Sequence, residues 1–266
     1  MIGSLAFLGC PLRMVIRMAA GDLNAYVGFI GFAAGVFTGT IALKNGFSLG
    51  RAHETGKMNG AVLPVVLAVL FVLSLTTTLF AFSEKGPGSM HAPALLALVV
   101  ALLFGAIAQK CRTCFAGSIR DVILMRNFDL ITVIGGLFAV MLVFNLATGG
   151  FKLSFAGQPV AHSQHIWNIL GLYAVGFAAV LAGGCPLRQL VLAGQGSSDS
   201  AVTFLGLLVG AAFCHNFGLA ASAAAAATAD TPAAPGGLAM AGKVAVIGCI
   251  VILFIIGFVP KSEEGK

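Results

Sequence analysis

Seven long apolar stretches dominate the sequence, and Lys, Arg, Asp and Glu occur only at their ends or between them. The stretches cover roughly residues 25–43, 61–82, 92–109, 130–148, 166–183, 201–221 and 243–259. Crossing the ~30 Å hydrocarbon core of a bilayer takes about 20 apolar residues in a helix. The stretches do not alternate polar and apolar residues as the strands of a membrane barrel do. The sequence therefore predicts an all-α integral membrane protein with about seven transmembrane helices.

The distribution of charge predicts the topology. Assigning successive loops to alternate sides places most of the Lys and Arg on the side of the C terminus, which predicts a cytoplasmic C terminus. The other side receives five cations: Arg13, Arg17, Lys85, Lys152 and Lys243. The net charge of +6 is thus scattered over loops, which argues against a nucleic-acid partner. Residues 1–9 lack a basic start and a cleavage site, so they indicate the end of a span, not a signal peptide.

A five-residue string, Gly-Cys-Pro-Leu-Arg, occurs at 9–13 and again at 184–188, an offset of 175 positions. The similarity continues downstream, where Gly31 and Gly35 align with Gly206 and Gly210. Five predicted spans separate the two copies, so the copies should face opposite sides of the membrane. Inverted-topology repeats of this kind are common in secondary transporters.

The repeat also predicts the domain organisation, a single membrane domain over 1–266. Residues 91–266 form the second pseudo-symmetric half, which adds the element KCRTCFAGSIRD (110–121) before its GCPLR string. Residues 1–90 are the remainder of the first half, because the matching element would precede Met1. We therefore expect the chain to lack the first quarter of a two-fold design.

The GCPLR strings have the chemistry of an anion site. Pro is favoured at the first position of a helix, which places Cys10 and Cys185 at helix N-caps. Free backbone N–H groups and the positive end of the helix dipole meet at such a cap, and they stabilise a thiolate or a bound anion. Arg13 and Arg188 add positive charge one turn further on. Flanking glycines would let each string enter the membrane as a short re-entrant segment. The alternative is a Pro-initiated helix with an inert buried cysteine.

Cys111-x-x-Cys114 is open to three interpretations. It is a further thiol station on the same pathway, a redox pair that passes electrons to a quinone, or ordinary packing. A zinc site needs four ligands, usually with a second Cys or His pair at short spacing, which the sequence lacks. The thioredoxin interpretation needs a strand-helix-strand context that the sequence also lacks. Arg120 in the same element is included among the predicted substrate-binding residues.

Other polar residues carry weaker predictions. His215, in the sequence Cys214-His215-Asn216, interrupts an apolar span and is predicted either to face the cavity of Cys185 or to bond a neighbouring helix. Cys249 has no polar neighbour and is predicted to pack. His91, His162 and His165 lie in polar loops, where solvated side chains are expected.

With both GCPLR strings, the KCRTCFAGSIRD element, the FSEKGPGSMHAP loop and the GGLAMAGKVAVIG end in view, the chain resembles the YeeE/YedE family, and most closely its YedE selenium-metabolism branch. The resemblance implies an inner-membrane protein with two pseudo-symmetric halves, built as an hourglass of helices and short re-entrant helices. It also implies uptake of thiosulfate, with the ion passed from one cysteine thiol to the next. By this resemblance, Cys10, Cys114 and Cys185 match the motif thiols, and Cys111 matches the first cysteine of the Cys-x-x-Cys pair. Members of that branch carry a further N-terminal portion.

These observations predict a transporter or channel for a small sulfur- or selenium-bearing oxyanion, with no enzymatic activity and no cofactor. The predicted partners are the anion and the lipid bilayer. Two alternatives stay open. One is a membrane thiol-disulfide oxidoreductase that uses Cys111 and Cys114, and the other is a scaffold that delivers sulfur or selenium to a cytoplasmic carrier protein.

Overall fold

Helices account for nearly all regular structure in the computed structural model, which describes residues 1–48, 57–77, 89, 92–225 and 234–259. The first six are α1 (Ile2–Phe7), α2 (Pro11–Ala19), α3 (Leu23–Lys44), α4 (Lys57–Thr76), α5 (Ala94–Lys110) and α6 (Phe115–Met125). The other five are α7 (Asp129–Ala147), α8 (His165–Leu181), α9 (Pro186–Gly194), α10 (Ser198–Asn216) and α11 (Met240–Phe258). The predicted all-α class is confirmed. His91 and most of the FSEKGPGSMHAP loop lie outside the described residues.

Eight segments in the described part of the chain are long and apolar enough to cross a membrane. Seven correspond to the apolar stretches of the sequence. The eighth, Ile2–Ala19, consists of α1 and α2, which are separated by the break at Leu8–Cys10. Each is too short to appear as an apolar run of its own, which is why the sequence shows seven. Two other segments, Ala94–Met125 and His165–Gly194, also contain a break before a short helix.

The helix bounds follow the offset of the repeat. Helix α2 (Pro11–Ala19) and helix α9 (Pro186–Gly194) have nine residues each and begin and end 175 positions apart. Helix α3 begins at Leu23 and helix α10 at Ser198, again at the same offset. The two copies of the string therefore produce the same local structure. The opposite membrane orientation of the copies stays a prediction.

The chain divides into two compact units. The first comprises Met1–Gly50, Cys114–Pro186 and Leu207–Lys266, and the second comprises Arg51–Thr113 and Leu187–Gly206. Helices α3 and α8 form the centre of the first unit, where their backbones approach closely. A side chain at Gly31 or Gly35 would overlap the backbone carbonyls of Ile169 and Tyr173. Small residues thus allow this helix pair to pack without the bulk of side chains between them.

Other helices of the first unit pack around this pair. Helix α1 lies on α8 through Gly3 and Gly171, where an added Cβ on Gly3 would overlap the carbonyl of Gly171. Helix α11 contacts α8 through Phe177 and Phe254, whose ring centroids are 5.2 Å apart. In the second unit, α4 and the turn before α10 meet at Gly60 and Gly196, where a Cβ on Gly60 would lie 2.6 Å from the Gly196 carbonyl oxygen.

Candidate functional site

Three of the predicted site cysteines stand directly before a helix. Cys10 is the N-cap of α2 in extended conformation, and Cys185 precedes Pro186 at the start of α9, as the sequence predicts. Cys114 is the N-cap of α6, which the sequence did not indicate. All six cysteines are thiols rather than disulfides. Each of these three sulfurs therefore lies where backbone N–H groups have no partner within the helix.

The first unit brings Cys114 and Cys185 together. The backbone N–H of Cys185 donates to Cys114 Sγ across 3.4 Å, and the N–H of Gly117 donates to the same sulfur across 3.2 Å. Both cysteines are buried, with 7% of Cys114 and none of Cys185 exposed. The N-terminal ends of α6 and α9 thus converge on one sulfur atom. Backbone donors at two helix ends stabilise negative charge at this position, either on the Cys114 sulfur or on a soft atom of a ligand that accepts the same N–H groups.

Gly117 explains how the Cys114 sulfur fits against its own helix. A Cβ on Gly117 would lie 3.2 Å from both Cβ and Sγ of Cys114, closer than side chains normally approach. Ser118 Oγ turns away and donates to the Phe115 carbonyl across 2.8 Å. The element CFAGS therefore combines a sulfur cap with the small residue that accommodates it. Sequence reasoning missed Gly117, although its position three residues after a cysteine that starts a helix was a usable signal.

The break between α1 and α2 carries the other copy of the string. Cys10 is half-buried and makes no side-chain cap hydrogen bond. The aliphatic part of Arg13 lies against Gly9, because a Cβ on Gly9 would come 2.7 Å from Arg13 Cδ. Arg13 thus runs back from α2 along the break, toward the residues that precede Cys10.

Arg188 and Cys111 belong to the second unit. Arg188 Nη1 donates to Gln109 Oε1 across 2.9 Å, which ties α9 to the end of α5. Cys111 is the C-cap of α5, half-buried, and its N–H bonds the Ile107 carbonyl across 2.9 Å. Arg188 therefore has a neutral polar partner. Cys111 lies at the C-terminal end of α5, whereas Cys114 lies at the N-terminal end of α6.

The remaining predicted residues are placed as follows. Arg120 pairs with its neighbour Asp121 across 2.8 Å at a partly exposed position. His215 lies in the last turn of α10 with its side chain exposed, and Cys214 beside it is buried. Cys249 is half-buried in α11. The described residues contain no group of three or more His, Cys, Asp or Glu that could hold a metal ion.

An apolar cavity of about 180 Å³ lies between α2, α3, α6 and α7 in the first unit. Its lining includes Met14, Phe32, Phe115, Ile131 and Phe138. The cavity offers almost no polar surface, so it has none of the groups that an anion needs. The cysteines that are predicted to bind the anion lie at the helix breaks instead.

Sequence comparison adds the family to this geometry. The sequence model described as sulphur transport matches residues 110–264, more than half of the chain. The chain belongs to the sulphur transport family. The matched part of this family member includes Cys111, Cys114 and Cys185, and it begins after the first GCPLR string.

One curated relative is the thiosulfate transporter TsuA of Spirochaeta thermophila. It is 31% identical to this family member over 113 residues, which are 41% of the chain and 33% of the relative. The aligned part is thus about a third of the relative's length. No solved structure matches the chain. The assignment to the selenium-metabolism branch stays a prediction.

Proposed function

We propose that the protein transports a small sulfur-bearing oxyanion, such as thiosulfate, across the inner membrane by way of its cysteine sulfurs. The observation that carries the proposal is the Cys114 sulfur, which accepts N–H groups from Gly117 and from Cys185. Membership of the sulphur transport family and the name of the curated relative support the substrate class.

The pathway follows from the chemistry of the ion. Thiosulfate carries charge on a terminal sulfur, which is soft and accepts hydrogen bonds from thiols and backbone amides. Two helix N-termini at Cys114 compensate that charge without fixing a counterion in place. Conduction needs binding that is weak enough for release, so transient S–H contacts suit the site better than a persulfide. Cys10 and Cys111 are the further stations of the proposed relay.

Positive side chains complete the proposed route. Arg13 lies along the break that contains Cys10, and Arg188 lies one turn into α9, held by Gln109. Arg120 forms an ion pair with Asp121, so its positive charge is partly compensated. His215 is the most peripheral member of the set, because its side chain is exposed at the end of α10. Selenite, an oxyanion with selenium at its centre, is the selenium substrate to be compared with thiosulfate, and delivery to a cytoplasmic carrier would follow uptake.

The test is uptake of radiolabelled thiosulfate, and of selenite in parallel, into proteoliposomes that contain the full chain. We expect Cys114→Ser and Cys185→Ser each to lower the initial rate by about tenfold or more, because serine lacks the soft sulfur. Cys249→Ser is the matched control, since it removes a half-buried thiol in α11 that the route does not use. Transport by Cys185→Ser at the parental rate would contradict the relay. A quinone reductase activity that Cys111→Ala abolishes would favour the oxidoreductase instead.

A further inference from the structure

A buried ion pair lies next to the break between α1 and α2. Arg17 Nε is 2.6 Å from Asp22 Oδ2, and the two side chains are 6% and 1% exposed. The other carboxylate oxygen, Oδ1, accepts the backbone N–H of Asn24 across 2.9 Å and the Asn24 side-chain amide across 3.0 Å. Both carboxylate oxygens of Asp22 therefore have partners within the protein. Arg17, counted among the loop cations in the sequence, is instead part of the interior.

Arg17 also reaches the end of α1. Its Nη1 donates to the Phe7 carbonyl across 3.1 Å, and its guanidinium carbon lies 4.3 Å from the centre of the Phe7 ring. Side chains on a helix point toward its N terminus, so Arg17 and Arg13, four residues apart, share one face of α2. Arg13 lies along Gly9 and Arg17 on Phe7, which places both arginines beside the segment Leu8–Cys10.

Two polar atoms of these arginines remain unpaired. Arg13 Nε and Arg17 Nη2 are both buried and have no hydrogen-bond partner among the described residues. Arg17 has the carboxylate of Asp22 as its counter-charge, whereas Arg13 forms no ion pair with any described residue. A buried N–H donor without an acceptor is unfavourable. Two guanidinium N–H groups beside the break are therefore able to donate to an acceptor.

We propose that the break between α1 and α2 binds a small tetrahedral oxyanion through Arg13 Nε and Arg17 Nη2, while Asp22 holds Arg17 in position. Oxyanions with several acceptor oxygens are the partners that guanidinium groups bind best. This recognition is electrostatic and needs no thiol, so it extends to sulfate. Its role as a charge-selective station for the transported ion rests on the proposed function, but the binding itself does not.

The site belongs to the first copy of the repeat alone. At the 175-residue offset, Arg17 is replaced by Leu192 and Asp22 by Ser197. Arg188, the counterpart of Arg13, has Gln109 as its partner. The two ends of the proposed route would therefore differ in how they bind the ion, because only the end at α2 has this pair of arginines to select an oxyanion.

The experiment measures thermal unfolding of the full chain in a neutral detergent, with sodium sulfate against sodium chloride at equal ionic strength. Sulfate also stabilises proteins by exclusion from their surfaces, an effect that does not saturate. We expect a saturable rise in Tm for the parent and for Cys249→Ser, and an apparent Kd about tenfold weaker or more for Arg13→Gln. Lys44→Gln removes one exposed cation from α3 and is the matched control, with the parental response expected.

A second variant keeps the test valid if single changes at the ion pair impair folding. Arg17→Gln combined with Asp22→Asn removes both charges together, and we expect it to fold and to lose the saturable response. A parental response in Arg13→Gln or in the double variant overturns the proposal, as does an equal loss in Lys44→Gln. Failure of the thiol variants to affect uptake would contradict the relay while leaving the sulfate response intact, so the two failures are distinguishable.

A lipid phosphate has the same chemistry as a free oxyanion, so the source of the anion is tested separately. The sulfate titration is repeated in phosphatidylcholine nanodiscs and in nanodiscs with phosphatidylglycerol. We expect the saturable rise in Tm in both. Loss of the response only with phosphatidylglycerol would show that an anionic lipid occupies the arginines, and it would overturn the assignment to a free ion.

Discussion

The two copies of Gly-Cys-Pro-Leu-Arg form the same local structure in different surroundings. Both copies place a cysteine before a nine-residue helix that starts with proline. In the first copy, the break borders a buried Arg17–Asp22 pair. In the second copy, Cys185 is fully buried and its N–H contacts the sulfur of Cys114.

If the protein transports an oxyanion as proposed, the two breaks would bind different atoms of the ion. The second break offers sulfur and backbone amides, which suit a soft atom. The first break has the thiol of Cys10 and, in addition, two guanidinium groups, which suit oxygen atoms. A sulfur oxyanion such as thiosulfate has both a soft sulfur and oxygen atoms, so a route that contacts both would distinguish it from an ion that has only one kind of atom.

Removal of the Arg17 charge should have the largest effect on stability. Arg17→Met leaves Asp22 buried without its cation, and we expect a loss of about 3–5 kcal/mol in the free energy of unfolding. Arg188→Met breaks one bond to the neutral Gln109, and a loss of about 1.5–3 kcal/mol is expected. Thermal or denaturant unfolding in detergent measures both. The double variant Arg17→Met with Asp22→Leu should recover most of the loss, since an apolar pair of similar volume replaces the ion pair.

An equal loss in Arg17→Met and Arg188→Met would contradict the proposed difference between the copies. Arg120→Met is the control, because its ion pair with Asp121 is partly exposed and should contribute about 1 kcal/mol or less.

The glycines that follow each string provide the next comparison. A Cβ on Gly31 would overlap the Ile169 carbonyl of α8, whereas a Cβ on Gly206, its counterpart, meets no described atom within 4 Å. We expect Gly31→Ala to cost about 1–3 kcal/mol through separation of α3 from α8. Gly206→Ala should be neutral or stabilising by up to about 1 kcal/mol, since alanine favours the helix.

The unfolding midpoints of these two variants measure the difference directly. Gly105→Ala in α5 is a second control, since it too has open space around the added Cβ. Equal destabilisation by Gly31→Ala and Gly206→Ala would mean that both glycine pairs serve close packing, as their shared spacing suggests from the sequence.

The sequence predicts the local features of the site better than the contacts between distant residues. Pro11 and Pro186 start their helices for a local steric reason, so the positions of Cys10 and Cys185 follow from the string alone. The contact between Cys114 and Cys185 joins residues 71 positions apart, and no local pattern encodes it.

Arg17 shows a different limit. A sequence count treats any cation at the end of an apolar run as a loop residue. Here α2 is only nine residues long, and the turn after it brings Asp22 back to Arg17. Arg17 is thus buried because Asp22, five positions later, points its carboxylate toward Arg17, and only the fold determines that orientation.

The smallest expected effect is the pH dependence of stability that arises from His162, in the loop that contacts α1. His162 Nε2 lies 2.7 Å from the Ala6 carbonyl, and His162 Nδ1 accepts the Gln164 N–H across 3.3 Å. Both contacts fit a neutral ring that is protonated at Nε2. Burial lowers the pKa of His162, the Ala6 carbonyl opposes that shift, and the positive charge of Arg17 adds to it. The sequence predicted a solvated loop histidine, whereas this side chain is 1% exposed.

The lowered pKa fixes the direction of the pH dependence. As the pH falls below about 6.5, His162 takes up a proton in the unfolded chain but not in the folded one, so stability is lost. We expect the midpoint of unfolding of the parent to fall between pH 7 and 5 more steeply than that of His162→Gln. His215→Gln removes an exposed histidine of α10 that is not in contact with His162, and it should retain the parental slope. A parental slope in His162→Gln would mean that groups other than this histidine, including those at the second break, control the acid sensitivity.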